Sequence, residues 1–162
     1  MMTWIIANVW HLSFLTIAVA DDLVYKKFHN ALFIALTLVG VVYVFSMSPL
    51  SWQDSLGGFF IGGGLLLPLV LLNAIGAGDM KFMMAFGILL GTTATISVVI
   101  YAFFWGALLG VLKTVLGGQL KTLLTNMAQI ASKQTPKKTI KIPFTVAILL
   151  GWLCYVQMGG AL

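Results

Sequence analysis

The sequence predicts an all-α membrane protein: six transmembrane helices forming one domain over residues 1–162, both termini outside, with an amphipathic cytoplasmic segment between helices five and six. Three observations carry that expectation. The chain is 60% hydrophobic and only 8% charged, with a mean hydropathy of +1.06, whereas soluble domains carry roughly 25% charged residues. A water-soluble fold of this size exposes too much surface to hide so much apolar side chain. The apolar residues gather in six runs, several close to the roughly 20 residues that span a bilayer. The basic residues, nine Lys and no Arg, fall in alternate connections between those runs or at the run ends that border them.

The runs cover roughly residues 3–20, 31–47, 56–75, 80–90, 95–116 and 143–159. The first ends in Ala18-Val19-Ala20, a pattern resembling a signal-peptidase site. No Lys or Arg precedes it, so it is expected to stay as a first membrane helix. The third contains Pro68, which is expected to bend it. The fourth is short: at 1.5 Å per residue it reaches about 17–21 Å, against a hydrocarbon core near 30 Å. It either starts below the headgroups or thins the bilayer around it. Gly58 and Gly62, Gly87 and Gly91, and Gly106 and Gly110 form Gly-x-x-x-Gly pairs, which let helix backbones approach where lipid supplies no hydrophobic drive. Cys154, the single cysteine, lies in the sixth run and is expected simply to pack there; it excludes an internal disulfide framework and a Cys-rich zinc site.

The connection at 117–142 carries Leu120, Leu123, Leu124, Met127, Ile130 and Ala131 at helical spacing, with Lys121, Lys133, Lys137, Lys138 and Lys141 on or beside it. That pattern fits a helix lying on the inner leaflet, or a loop packed on the bundle. With six spans, these Lys residues share one side with Lys113, with Lys26 and Lys27 and with Lys81. The connections at 48–55 and 91–93 carry no Lys. The positive-inside rule makes the Lys side cytoplasmic. The net charge of +5 therefore reports topology rather than a nucleic-acid partner.

Only four residues are acidic, and all are Asp. An ionisable group in a membrane helix is costly and marks a functional site by default. Asp21 and Asp22 end the first helix and Asp79 begins the fourth, at one depth on one side. Two carboxylates in a wet pocket can share a proton, one accepting from water while the other donates to a carbonyl or a leaving amine. Such a pair needs no metal or cofactor. Gly76 and Gly78 can adopt angles closed to other residues and aim Asp79 inward. The bland alternative is that Asp79 caps the fourth helix, where Asp is favourable anyway. His11 lies about 16 Å along the helix from Asp22, too far to join the pair. With Asn8 and Thr16 it is expected to hydrogen-bond between helices.

Three stretches then carry a resemblance. "GAGDMK", at 76–81, resembles the GxGD motif of membrane-embedded aspartyl proteases, and with its Lys it is most similar to the type IV prepilin peptidase family. "DLVYKKFHN", at 22–30, resembles that family's other motif, and "KIPFTVAILLG", at 141–151, its last helix. The resemblance implies Asp22 and Asp79 as the catalytic pair, because Asp22 rather than Asp21 keeps register with Asn30. It leaves Asp21 a solvated neighbour or a modulator of the pair's charge. Gly76, Gly78, Lys81 and Asn30 are implied as supporting residues. Asn30 would cap the second helix or hold the loop; Lys81 would meet lipid phosphate or bias the pair. The implied function is an intramembrane aspartyl endopeptidase of the inner membrane, its site facing the cytoplasm. It would remove the short basic leader of a prepilin or pseudopilin. Two departures stand out. His29 replaces the family's usual Pro and is expected to be an interfacial loop residue, and there is no Cys-paired cytoplasmic domain of the kind that accompanies methyltransferase activity. In its short form the chain resembles the small peptidases of tight-adherence (Flp-type) pilus systems. The alternatives are a GxGD protease of presenilin or signal-peptide-peptidase type, or a non-enzymatic small transporter or scaffold.

Overall fold

In a computed structural model the chain is helical, and residues 2–25, 29–46, 48, 50–72, 74–117 and 144–159 are described. The connection at 118–143, with its amphipathic stripe, lies outside them. Five helices follow in order: α1 (Met2–Tyr25), α2 (Asn30–Ser46), α3 (Trp52–Leu71), α4 (Ala77–Leu116) and α5 (Phe144–Gln157). By length and composition α3 and α4 can each cross a membrane; α2 and α5 are apolar but shorter. The surface agrees with a lipid environment. Phe45, Phe60, Leu72, Phe104 and Leu116 are all exposed, and these apolar side chains point away from the bundle.

The fourth and fifth predicted runs form one 40-residue element. A straight helix of that length would reach about 60 Å. Instead α4 folds back at Gly91, whose φ of 76° and ψ of 178° lie outside the helical region and in one that is essentially glycine's alone. The contacts show the reversal. Asp79, in the first turn, bonds Thr145, while Gly106, far along the second arm, packs on Phe144. The connection expected at 91–93 is thus tighter than the sequence suggests, because one glycine makes the turn.

Rods consecutive in the chain alternate in direction. Gly58 of α3 abuts the Gly87 backbone and Gly62 the Met83 carbonyl, so α3 runs antiparallel to the first arm of α4. A side chain at Gly58 or Gly87 would strike the other's backbone, which is the close approach expected of the Gly-x-x-x-Gly pairs. α2 runs parallel to that arm, with Asn30 beside Lys81 and Gly40 beside Leu89. The second arm pairs with α5 through Gly151, set against the Val98 and Ala102 backbone. Phe14, Leu15, Leu66, Phe82, Phe86, Val98, Ile148 and Trp152 fill the space between the rods.

Polar groups inside the bundle follow the break in α4. Loss of the helical pattern at Gly91 frees backbone groups that must find partners. The Thr92 N–H donates to Asp54 Oδ1 at 3.0 Å, and the Thr92 hydroxyl to the Asp54 carbonyl at 3.2 Å. The Leu89 carbonyl faces His11 Nε2 at 3.4 Å, which makes Nε2 the protonated nitrogen. His11 also stacks on Trp152, with centroids 5.9 Å apart. Thr16 departs from expectation. Its hydroxyl bonds back to the Leu12 and Ser13 carbonyls of its own helix at 2.8 and 3.0 Å, the local pairing open to any helical Thr.

Candidate active site

At the opposite end from Gly91, four elements converge. Asp79 is the third residue of α4, whose N-cap is Gly76. Its N–H donates to the Gly76 carbonyl at 3.1 Å, and the Gly76 N–H donates to Asp79 Oδ2 at 3.3 Å. That reciprocal pair closes the first turn, as in a capping box. The cap reading and the functional reading therefore use different oxygens. Oδ1 points across the bundle and accepts the Thr145 hydroxyl at 2.8 Å, and the Thr145 backbone also bonds the carboxylate. α5 begins at Phe144, so Thr145 lies in its first turn, where backbone N–H groups lack helical partners.

The glycines work differently from expectation. Gly76 keeps ordinary extended angles, φ −76° and ψ 144°, and Gly78 is helical. Positive φ among the described glycines occurs at Gly91 and Gly159. An N-cap needs only extended backbone, which any residue adopts. What Gly76 supplies is room: a Cβ there would stand 3.2 Å from Asp79 Oδ2.

Asp22, in the last turn of α1, lies close enough to Thr145 and Asp79 to bear on both electrostatically. Asp21 is one residue earlier, rotated by about 100°, and faces His29, whose Nδ1 lies 3.3 Å from Asp21 Oδ1. It is not a solvated neighbour: its side chain is 13% exposed, and its Oδ2 is buried without a partner among the described residues. His29, half exposed, holds the start of α2, its carbonyl accepting the Phe33 N–H at 3.1 Å. Asn30 is thus left free of capping, and its Oδ1 accepts Lys81 Nζ at 2.7 Å. That bond ties α2 to the first turn of α4. Thr145 is the site residue that sequence reasoning missed. Its one signal was a hydroxyl two residues past Pro143, at the head of an apolar run.

An apolar helical bundle with two carboxylates close together at one end defines a helical membrane protein. The chain belongs to the type IV leader peptidase family, whose model matches residues 9–111. That span, more than half the chain, contains Asp22, Lys81 and Asp79 and stops short of Thr145. Its membership makes it a membrane peptidase. None of the curated proteins and none of the solved structures compared with the chain matches it.

Proposed function

We propose that the chain is an intramembrane aspartyl endopeptidase that removes the short basic leader of a type IV prepilin or pseudopilin at the cytoplasmic face of the inner membrane. The observation that carries this reading is the 2.8 Å bond from the Thr145 hydroxyl to Asp79, at the end of the bundle where the second carboxylate, Asp22, also lies. In this reading the chain crosses the bilayer six times, each arm of α4 counting as one crossing, with both termini outside. The location of charge supports that orientation: among the described residues, Lys81 and Lys113 belong to the carboxylate end, whereas the Gly91 end has Asp54 and no Lys. A substrate with a basic leader before an apolar segment presents its junction at that same inner interface.

The chemistry follows from a dyad holding one proton. The ionised carboxylate takes a proton from water as the water oxygen bonds to the scissile carbonyl carbon. The protonated carboxyl gives its proton to the carbonyl oxygen, leaving a neutral gem-diol. In the second step the first carboxyl returns its proton to the amide nitrogen and the C–N bond breaks. The other carboxylate recovers a proton from a diol hydroxyl. Acid and amine leave, and the dyad is restored with one proton. Gly76 and the α5 backbone hold Asp79, and the Asn30–Lys81 bond holds the loop beside it.

The test is cleavage of a prepilin-type substrate by purified protein in lipid, with Asp22→Asn and Asp79→Asn assayed separately. Each variant is expected to lose activity. Near-wild-type cleavage by either one would falsify the dyad. Cleavage of a transmembrane substrate without a basic leader would point to a presenilin-like specificity instead, and proton- or sodium-dependent flux without proteolysis to a transporter.

A further inference from the structure

We propose that Thr145 is a positioning residue of this reaction: its hydroxyl, which donates to Asp79 at 2.8 Å, bridges to Asp22 when the pair holds a single proton and widens the pH range over which it does so. The inference rests on the aspartyl-peptidase reading above and concerns a residue outside the part of the chain that matches the family.

The argument is one of valence. A hydroxyl has one proton and two lone pairs. When both carboxyls are ionised, Thr145 can donate to only one and confronts the other with lone pairs. When one is protonated, Thr145 donates to the carboxylate and accepts from the acid, so both bonds are made and one is charge-assisted. When both are protonated, the charge-assisted bond is lost. The singly protonated state therefore gains most from the hydroxyl, and it is the state that can hydrolyse a peptide. Water cannot readily replace the link, because Thr145 is only 3% exposed. Its position is set by the chain next to it, since the Phe144 ring packs on Gly106 and lies 6.0 Å from the Phe103 ring. The bond from the Thr145 backbone to Asp79 does not depend on the side chain, so substitution isolates the hydroxyl.

The charged groups at this end, among the described residues, are Asp21 and Asp22 on α1, His29 before α2, and Asp79, Lys81 and Lys113 on α4. The one carboxylate of α3, Asp54, lies at the other end with Thr92, and α5 has no carboxylate, imidazole or amine. Among these, Asp79 accepts the Thr145 hydroxyl and Asp22 lies close enough to bear on it.

The experiment compares wild type with Thr145→Val, which keeps the shape, and Thr145→Ser, which keeps the hydroxyl, in lipid across pH. Thr145→Val is expected to lower kcat by about tenfold to a hundredfold, the worth of a charge-assisted hydrogen bond. It should also draw in both limbs of the bell-shaped profile, with KM little changed. Thr145→Ser should restore the width. Thr145→Ala serves if the valine variant does not purify as folded protein. An unchanged width in Val or Ala, or a Ser variant as narrow as Val, overturns the inference, as does a loss of kcat with both limbs in place. Infrared titration of the carboxyl bands, assigned with Asp22→Asn and Asp79→Asn, needs no substrate. If wild type cleaves no prepilin, the peptidase reading fails. The infrared interval between the two proton losses still decides the role of Thr145, since it must shrink in Thr145→Val.

Discussion

Asp54 and Asp79 hold the same local position at opposite ends of the bundle. Each is the third residue of its helix, after Ser51 and Gly76 as N-caps. An Asp there is favoured by the helix dipole in either case. They differ in what the carboxylate meets. Asp54 Oδ1 receives the Thr92 N–H at 3.0 Å, a donor that the Gly91 break leaves without a helical partner. Asp79 Oδ1 meets the Thr145 hydroxyl, with a second carboxylate, Asp22, close by. One Asp thus closes the helical hairpin, and the other faces a group whose bonding changes with protonation. Helix position alone does not separate structural from chemical Asp residues; the partner does.

The largest expected effects break that comparison directly. Asp79→Asn and Asp22→Asn should each lower cleavage at least about a thousandfold, near the upper range for a general acid or base, while leaving thermal stability in detergent close to wild type. Asp54→Ala should do the reverse. With the Thr92 N–H unpaired, about 1–3 kcal/mol of stability is lost, and the surviving folded protein cleaves normally. Asp54→Asn keeps an acceptor oxygen and should recover most of that stability. If Asp54→Ala abolishes turnover in stably folded protein, the division between the two ends is wrong.

Gly91→Ala tests the hairpin from its other side. The backbone region is closed to alanine at a cost of about 1–3 kcal/mol, and the new Cβ would press on the Asp54 carboxylate and Leu50. A lower melting temperature is expected, additive with nothing at Asp79. A melting temperature equal to wild type would mean that the turn is not where the chain reverses.

How much of this was legible in the sequence depended on the range of the interaction. The apolar runs, the small-residue contacts at Gly58 and Gly87 and the break at Gly91 are written locally, in hydropathy and glycine spacing. So are the Asp residues, which stand out in an apolar chain. Thr145 was not legible, because a hydroxyl in an apolar helix bonds its own backbone by default, as Thr16 and Thr114 do. Only the folding of α5 against α4 shows that Thr145 bonds across the bundle. The Asp54–Thr92 clasp was hidden similarly, by the 38 residues between its partners. The orientation of Gly76 was misjudged because glycine there supplies space rather than an unusual angle.

Smaller effects sharpen the site end. Lys81→Met removes the 2.7 Å bond to Asn30, and Asn30→Ala removes the same bond from its other side. Either change should cost a few-fold in kcat, about 1 kcal/mol for one partly exposed hydrogen bond. The double variant should lose little more than each single one. Clearly multiplicative losses would show that Lys81 acts on the dyad independently of Asn30.

The smallest effect is expected at Asp21, and it discriminates most finely. Asp21 and Asp22 are neighbours in sequence, yet about 100° of helical rotation separates their side chains. One faces His29 at 3.3 Å and the other faces Thr145. Asp21→Asn keeps an oxygen for His29 and removes only a charge near the dyad, an effect of about threefold or less for a partly screened pair. The comparison is with Asp22→Asn under the same conditions. A loss at Asp21 as deep as that at Asp22 would mean that the helix presents the wrong Asp to Thr145. A loss confined to Asp22 ties the chemistry to the one carboxylate of α1 that pairs with Asp79.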